Sequence, residues 1–106
     1  MMKSREVEAV AVVQVSRFEI VARIDPQTVA RLINYFAQRA LTPRHIQATQ
    51  IEDMMRVVIE QDGLSVHEAG IIADKMRCNW LVEEVGLRCG NVHQLPLSES
   101  VVDRAA

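Results

Sequence analysis

Three histidines, two cysteines and a few carboxylate pairs are the residues of this chain that could do chemistry, and their spacing decides how much. His45, His67 and His93 lie far apart in sequence and no two stand at i, i+4 on one helix, so they lack the spacing that presents two imidazoles to one metal ion. Cys78 and Cys89 match no metal-ligand signature and read as two free structural thiols. Glu52-Asp53, Glu68 with Asp74, and Glu83-Glu84 could supply acid or base, but turns and wet faces collect the same residues and no partner motif accompanies them. The four glycines, Gly63, Gly70, Gly86 and Gly90, are scattered, so no glycine-rich loop is present to cradle a phosphate. No nucleophile elbow surrounds a serine, and Ser65 reads as a helix cap. The expectation is no catalytic residue, no metal and no cofactor.

The elements that would position any site come from apolar periodicity. The 106 residues fit one domain, and 49% hydrophobic with 25% charged residues is the balance of an ordinary globular protein. A net charge of -2 offers no basic excess for neutralising phosphates along a nucleic acid, and no apolar run approaches the length needed to span a bilayer. Neither nucleic acid nor membrane is an expected partner, and the cytoplasm is the expected location. Residues 17–40 carry the clearest signal. Phe18, Ile20, Ala22 and Ile24 alternate with Arg17, Glu19, Val21 and Arg23 as in a strand with one buried face. From Val29 the repeat becomes helical, with Leu32, Ile33, Phe36, Ala37 and Ala40 completing one stripe. Asp25-Pro26 between the two runs is a helix start, the carboxylate accepting from a first-turn amide and proline standing where its missing N–H costs nothing. Leu41-Thr42-Pro43 ends the helix.

Arg44 to Ile51 alternates weakly, as an edge strand does, and Met54 to Glu60 alternates strongly, so Glu52-Asp53 is a hairpin turn. Gln61-Asp62-Gly63 turns the chain again, and Ser65-Val66-His67-Glu68 fits a capping box that opens a helix with the stripe Ala69, Ile72, Ala73 and Met76. Gly70 is a weakness in that helix unless a neighbour packs closely on it. Trp80 to Leu87 is the last strand, with Glu83-Glu84 breaking the alternation at a bulge or an edge. The order strand, helix, strand, strand, helix, strand predicts an α+β, ferredoxin-like βαββαβ fold: a four-stranded antiparallel sheet with two helices on one face. Residues 1–13 form a leader or a strand extension, 14–90 the domain and 91–106 a tail. The far face of the sheet would show Val21, Met54 and Val58 among Arg17, Glu19, Arg23, Arg56 and Glu60. Solvent, the tail or another chain could cover it.

The order of these elements, with QVSRFEIVARIDPQTVARLINYFAQRAL followed by RHIQATQ, MMRVVIE and LVEEVGL, resembles the ACT domain over residues 14–88. Within that family the chain looks most like the small regulatory subunits of acetolactate synthase. The resemblance implies a small ligand, commonly an amino acid, held where paired domains meet, and places it at the turn from Ile24 to Val29 with Arg44 to Ile46 alongside. The implied ligand residues are Asp25, Gln27, Thr28, Val29, Arg44 and Ile46. Ligand-binding ACT domains usually carry a glycine in this turn, whereas here Gln27 and Thr28 would restrict approach to the backbone. The leading expectation is a non-catalytic regulatory or interaction module, a homo-oligomer that modulates an enzyme of amino-acid metabolism. An adaptor without a ligand and a small enzyme on the same scaffold are the alternatives.

Overall fold

Alternation of apolar and polar residues builds the sheet, and the computed structural model describes its strands within residues 11–94. The elements are β1 (Ala11–Arg23), α1 (Thr28–Ala37), β2 (His45–Ile51), β3 (Met54–Asp62), α2 (Val66–Arg77) and β4 (Val82–Gln94). The strands lie in the order β2-β3-β1-β4 and every pair is antiparallel, which is the ferredoxin-like arrangement. Phe18 stands opposite Ile59 and Leu87, and Ile20 opposite Val57 and Val85, so one face of three strands is a continuous apolar floor. Leu32 and Phe36 of α1 and Ala69, Ile72, Ala73 and Met76 of α2 close over it, each at most 1% exposed. Phe18 and Phe36 meet edge to face, with ring centroids 5.2 Å apart, the arrangement aromatic quadrupoles favour.

Several boundaries differ from the sequence pattern for local reasons. Ala11–Val13 continues β1 backwards, one of the two expected readings, whereas Asn91–Gln94 continues β4 beyond Gly90, because Ala11 through Gln14 pair with Gln94 through Asn91 by backbone bonds that need no apolar pattern. The first residues of the expected tail are therefore strand, while residues 1–10 and 95–106 lie outside the described part of the chain. Trp80 and Leu81 form a turn, and β4 starts only at Val82. The register with β1 shifts between Val21, opposite Glu84, and Ala22, opposite Val82, so Glu83 is the extra residue of a bulge. β2 is exposed along its whole length, including Ile46 and Ala48, which share the helix-facing side with Ile59 and Val57. The helices cover β3, β1 and β4 and stop short of this edge.

Two of the three helix termini that sequence chemistry foresaw are closed by paired backbone or side-chain bonds. The Ser65 hydroxyl accepts the Glu68 amide and the Glu68 carboxylate accepts the Ser65 amide, each at 3.0 Å, completing the capping box. At the end of α1 the Leu41 amide donates to the Phe36 carbonyl and the Ala40 amide to the Ala37 carbonyl, both at 2.9 Å. This is a Schellman closure, and it puts Ala40 at φ 59, a left-handed conformation that a Cβ disfavours. Gly70, inside α2, has no neighbour within 4 Å of where a Cβ would stand, so close packing does not require it. Ala40→Gly and Gly70→Ala should therefore each raise stability by about 0.5–1 kcal/mol in urea unfolding followed by circular dichroism.

Candidate functional site

The turn between β1 and α1 is built from the polar atoms of its own residues. The Asp25 carboxylate accepts the Gln27 amide at 2.8 Å, and the Thr28 amide donates to the Asp25 carbonyl at 3.0 Å. The regular helix consequently begins at Thr28, after a tight turn through Pro26 and Gln27. Thr28, 1% exposed, donates its hydroxyl to the Arg23 carbonyl at 2.8 Å. Arg23 in turn donates its amide to the Leu81 carbonyl at 2.8 Å, which ties the turn to the start of β4. Gln27 lies outside this lock. Its side-chain oxygen accepts from Arg31 Nε at 2.8 Å, and it makes no side-chain bond to a first-turn amide of α1.

The expected ligand residues fall into two groups. Asp25, Gln27, Thr28 and Val29 are together at the turn. Arg44 and Ile46 are elsewhere: the Arg44 amide donates to the Glu60 carbonyl at 2.8 Å, and Glu60 stands opposite Arg17, whereas the turn follows Arg23. Six residues of strand separate those levels, about 20 Å, and β3 lies between β2 and β1. One copy of the chain does not bring the two groups together. Trp80, 64% exposed, and Ile24, 44% exposed, flank the Arg23–Leu81 bond, so the turn has apolar neighbours that the strand pattern assigned to other roles.

The open face of the sheet carries a charge network. Arg17 donates through Nε to Glu19 at 2.8 Å and through Nη1 to Glu60 at 2.7 Å. Arg56 and Arg88 approach Glu19 at 3.8 and 3.9 Å, while Arg23 pairs with the bulged Glu83 at 3.1 Å. The hydrogen bond from Arg17, with the charges of Arg88 and Arg56, holds the Glu19 carboxyl below its ordinary range, and Glu19 and Glu60 raise Arg17 in return. Alternation shows which of these residues share a face. Their adjacency depends on register, which one sequence does not display. Cys78 is an exposed free thiol and Cys89 a half-buried one whose Sγ lies 3.6 Å from the Ser16 hydroxyl. Among the described residues no three His, Cys, Asp or Glu side chains are grouped to hold a metal ion, and no helix is long and apolar enough to cross a membrane.

A four-stranded antiparallel sheet in this order, with both helices on one face, defines the class as a ferredoxin-like domain. Residues 9–93 match the family model of an ACT-like domain, and the chain belongs to that family. Among solved structures it is similar to the ACT domain of GTP pyrophosphokinase from Chlorobium tepidum, at a TM-score of 0.62 and 12% identity over 72% of this chain and 99% of that one. It is also similar to the C-terminal domain of the MgtC protein from Mycobacterium tuberculosis, at a TM-score of 0.60 and 14% identity over 74% of this chain and 88% of that one. The ligand-free regulatory subunit of aspartate kinase from Thermus thermophilus gives a TM-score of 0.60 and 16% identity over 74% of this chain and 54% of that one. At these identities the likeness is one of fold. A search of curated proteins found no match.

A carboxylate with a depressed folded-state pKa stabilises the fold above its unfolded value, and that contribution disappears as the pH falls through the folded value. Glu19→Gln should therefore lower the melting temperature at neutral pH. The gap between variant and parent should close as the pH falls below the ordinary carboxylate range, in melts recorded from neutral to acid pH.

Proposed function

We propose that this ACT-like domain is a non-catalytic regulatory module that pairs with a second copy through β2, holds an amino acid near the β1–α1 turn, and passes that binding to an enzyme of amino-acid metabolism. The observation that carries the reading is the start of α1. Asp25 takes the Gln27 and Thr28 amides, Gln27 gives no side-chain cap and the first turn has no acidic residue, so the next amides, of Val29 and Ala30, are the ones offered to the carboxylate of a ligand. Ile24 and Trp80 beside the turn offer an apolar side chain a surface. ACT-like domains are typically regulatory, and a regulatory subunit of aspartate kinase shares this fold, which supports a partner of that kind. The resemblance to acetolactate synthase small subunits makes that enzyme the first partner to assay.

The pairing edge follows from β2. Its seven residues, HIQATQI, contain no lysine, arginine, carboxylate or proline, so the edge lacks the devices that usually prevent strand addition. β4, at the other edge, has the Glu83 bulge and the charged Glu84 and Arg88. A two-fold antiparallel pair centred on Ala48 would set Arg44 of one copy opposite Glu52 of the other, at the sheet end that carries the turn. The two separated groups of expected ligand residues would then share one end of the assembly. Ligand binding would favour one geometry of the pair, which the enzyme reads.

Light scattering should find a dimer that Gln47→Lys with Thr49→Lys, which would face lysine against lysine across the two-fold, converts to a folded monomer. A thermal-shift screen of the twenty amino acids should find one that stabilises the dimer, by about 2.7 kcal/mol at a hundredfold excess over Kd. A concentration-independent monomer unmoved by every amino acid would overturn the proposal.

A further inference from the structure

At the opposite end of the sheet from the β1–α1 turn, the open face gathers three arginines, two of them sharing Glu19. Arg17 and Arg88 are directly opposite each other on β1 and β4. Like charges at facing positions destabilise a sheet. Arg44, placed by its amide bond to Glu60 beside the same row, adds a third guanidinium. The three line a shallow pocket of about 480 Å³ whose lining includes a single carboxylate, Glu60, although the chain as a whole is acidic.

The floor of this pocket is open because of Gly90, which faces Val15 in the next row of the sheet. A Cβ at Gly90 would meet no atom of the described residues within 4 Å, and its φ lies outside the left-handed range, so neither packing among those residues nor backbone geometry demands glycine. Glycine inside a strand costs stability, and one use for it is to let a ligand approach. The arginines differ in how they are held. Nε and Nη1 of Arg17 are bound by Glu19 and Glu60, which orients the guanidinium while Nη2 takes no part in either bond. Arg88, 76% exposed, reaches Glu19 only at 3.9 Å and can turn toward a ligand at little cost. One guanidinium is thus preorganised and one is able to close on a ligand.

We infer that the pocket formed by Arg17, Arg44, Arg88 and the Gly90 floor binds the phosphate group of a small phosphorylated metabolite, at a site separate from the turn. Guanidinium forks match phosphate oxygens, and a dianion beside Arg17, Arg44 and Arg88 adds to the partial compensation that Glu19 and Glu60 give this cluster. A tetrahedral group presents oxygens to arginines on more than one strand, which a single planar carboxylate does less well. The pocket volume also falls in the range of small-molecule sites. The inference shares Arg44 with the proposed pairing of two copies, so its test is made at Arg88 and Gly90, which that pairing does not use, and with a different probe from the amino-acid screen.

The test is isothermal titration calorimetry with inorganic pyrophosphate at constant ionic strength, with malonate as the carboxylate comparison. The parent protein should bind pyrophosphate more tightly than malonate. Arg88→Gln should weaken that binding at least about tenfold, as expected for loss of a charge-assisted contact. Gly90→Val, which fills the pocket from a strand position, should abolish it while the circular dichroism spectrum and melting temperature stay close to the parent's. Arg23→Gln, in a separate ion pair at the other end of the face, should bind as the parent does. The inference is overturned if pyrophosphate does not bind, if malonate binds as well, or if Arg23→Gln weakens binding as much as Arg88→Gln.

Discussion

The backbone of Arg23 is the point on which the two layers of this domain depend. Its carbonyl receives the Thr28 hydroxyl and its amide donates to Leu81, so one residue ties the end of β1 to the start of α1 and to the entry of β4. Thr28 is buried, and its hydroxyl would be costly to leave without an acceptor. The helix is thereby aimed back over the sheet, where Leu32 and Phe36 reach the floor made by Phe18 and Ile20. Burying each of those side chains contributes about 1.5–3 kcal/mol before chain entropy is counted, and the lock makes the burial geometrically possible.

That constraint also shapes what the turn can bind. Asp25 and Thr28 spend their side chains inside the turn, and the burial of Thr28 removes it from a ligand's reach. What the turn has to offer is the helix terminus and the apolar pair Ile24 and Trp80. The far end of the sheet differs in kind, being built from arginines around a glycine floor. The two ends are joined by β1 and β3, whose paired residues run from Val15 with Asp62 to Arg23 with Met54. A domain that reads one ligand at each end would have a rigid ladder between them.

The sequence made the architecture legible wherever a side-chain pattern drives it. Alternation in Phe18 to Ala22 and in Met55 to Ile59, the Ser65–Glu68 box and the disturbance at Glu83 each correspond to an observed feature. It was less informative where the backbone acts without a pattern. The pairing of Ala11–Gln14 with Asn91–Gln94 and the Schellman closure at Ala40 are of this kind. Three-dimensional neighbours were the least accessible. Placing Arg44 beside the turn took β2 for a neighbour of β1, but β3 intervenes and the parallel run of β1 and β2 sends Arg44 to the other end. For the same reason the sequence placed Arg17 on the far face without showing that Arg88 stands opposite it, which the register reveals.

Amide hydrogen exchange in the parent protein and in Thr28→Val tests the role of the Arg23 lock most directly. The substitution keeps the shape of the side chain and removes the donor to the Arg23 carbonyl. The account predicts slow exchange at Arg23 and Thr28 in the parent, and in the variant a joint acceleration at Arg23, through α1 and at the start of β4. Exchange in Thr28→Val that matches the parent, or that quickens only within the Pro26–Thr28 turn, would contradict it.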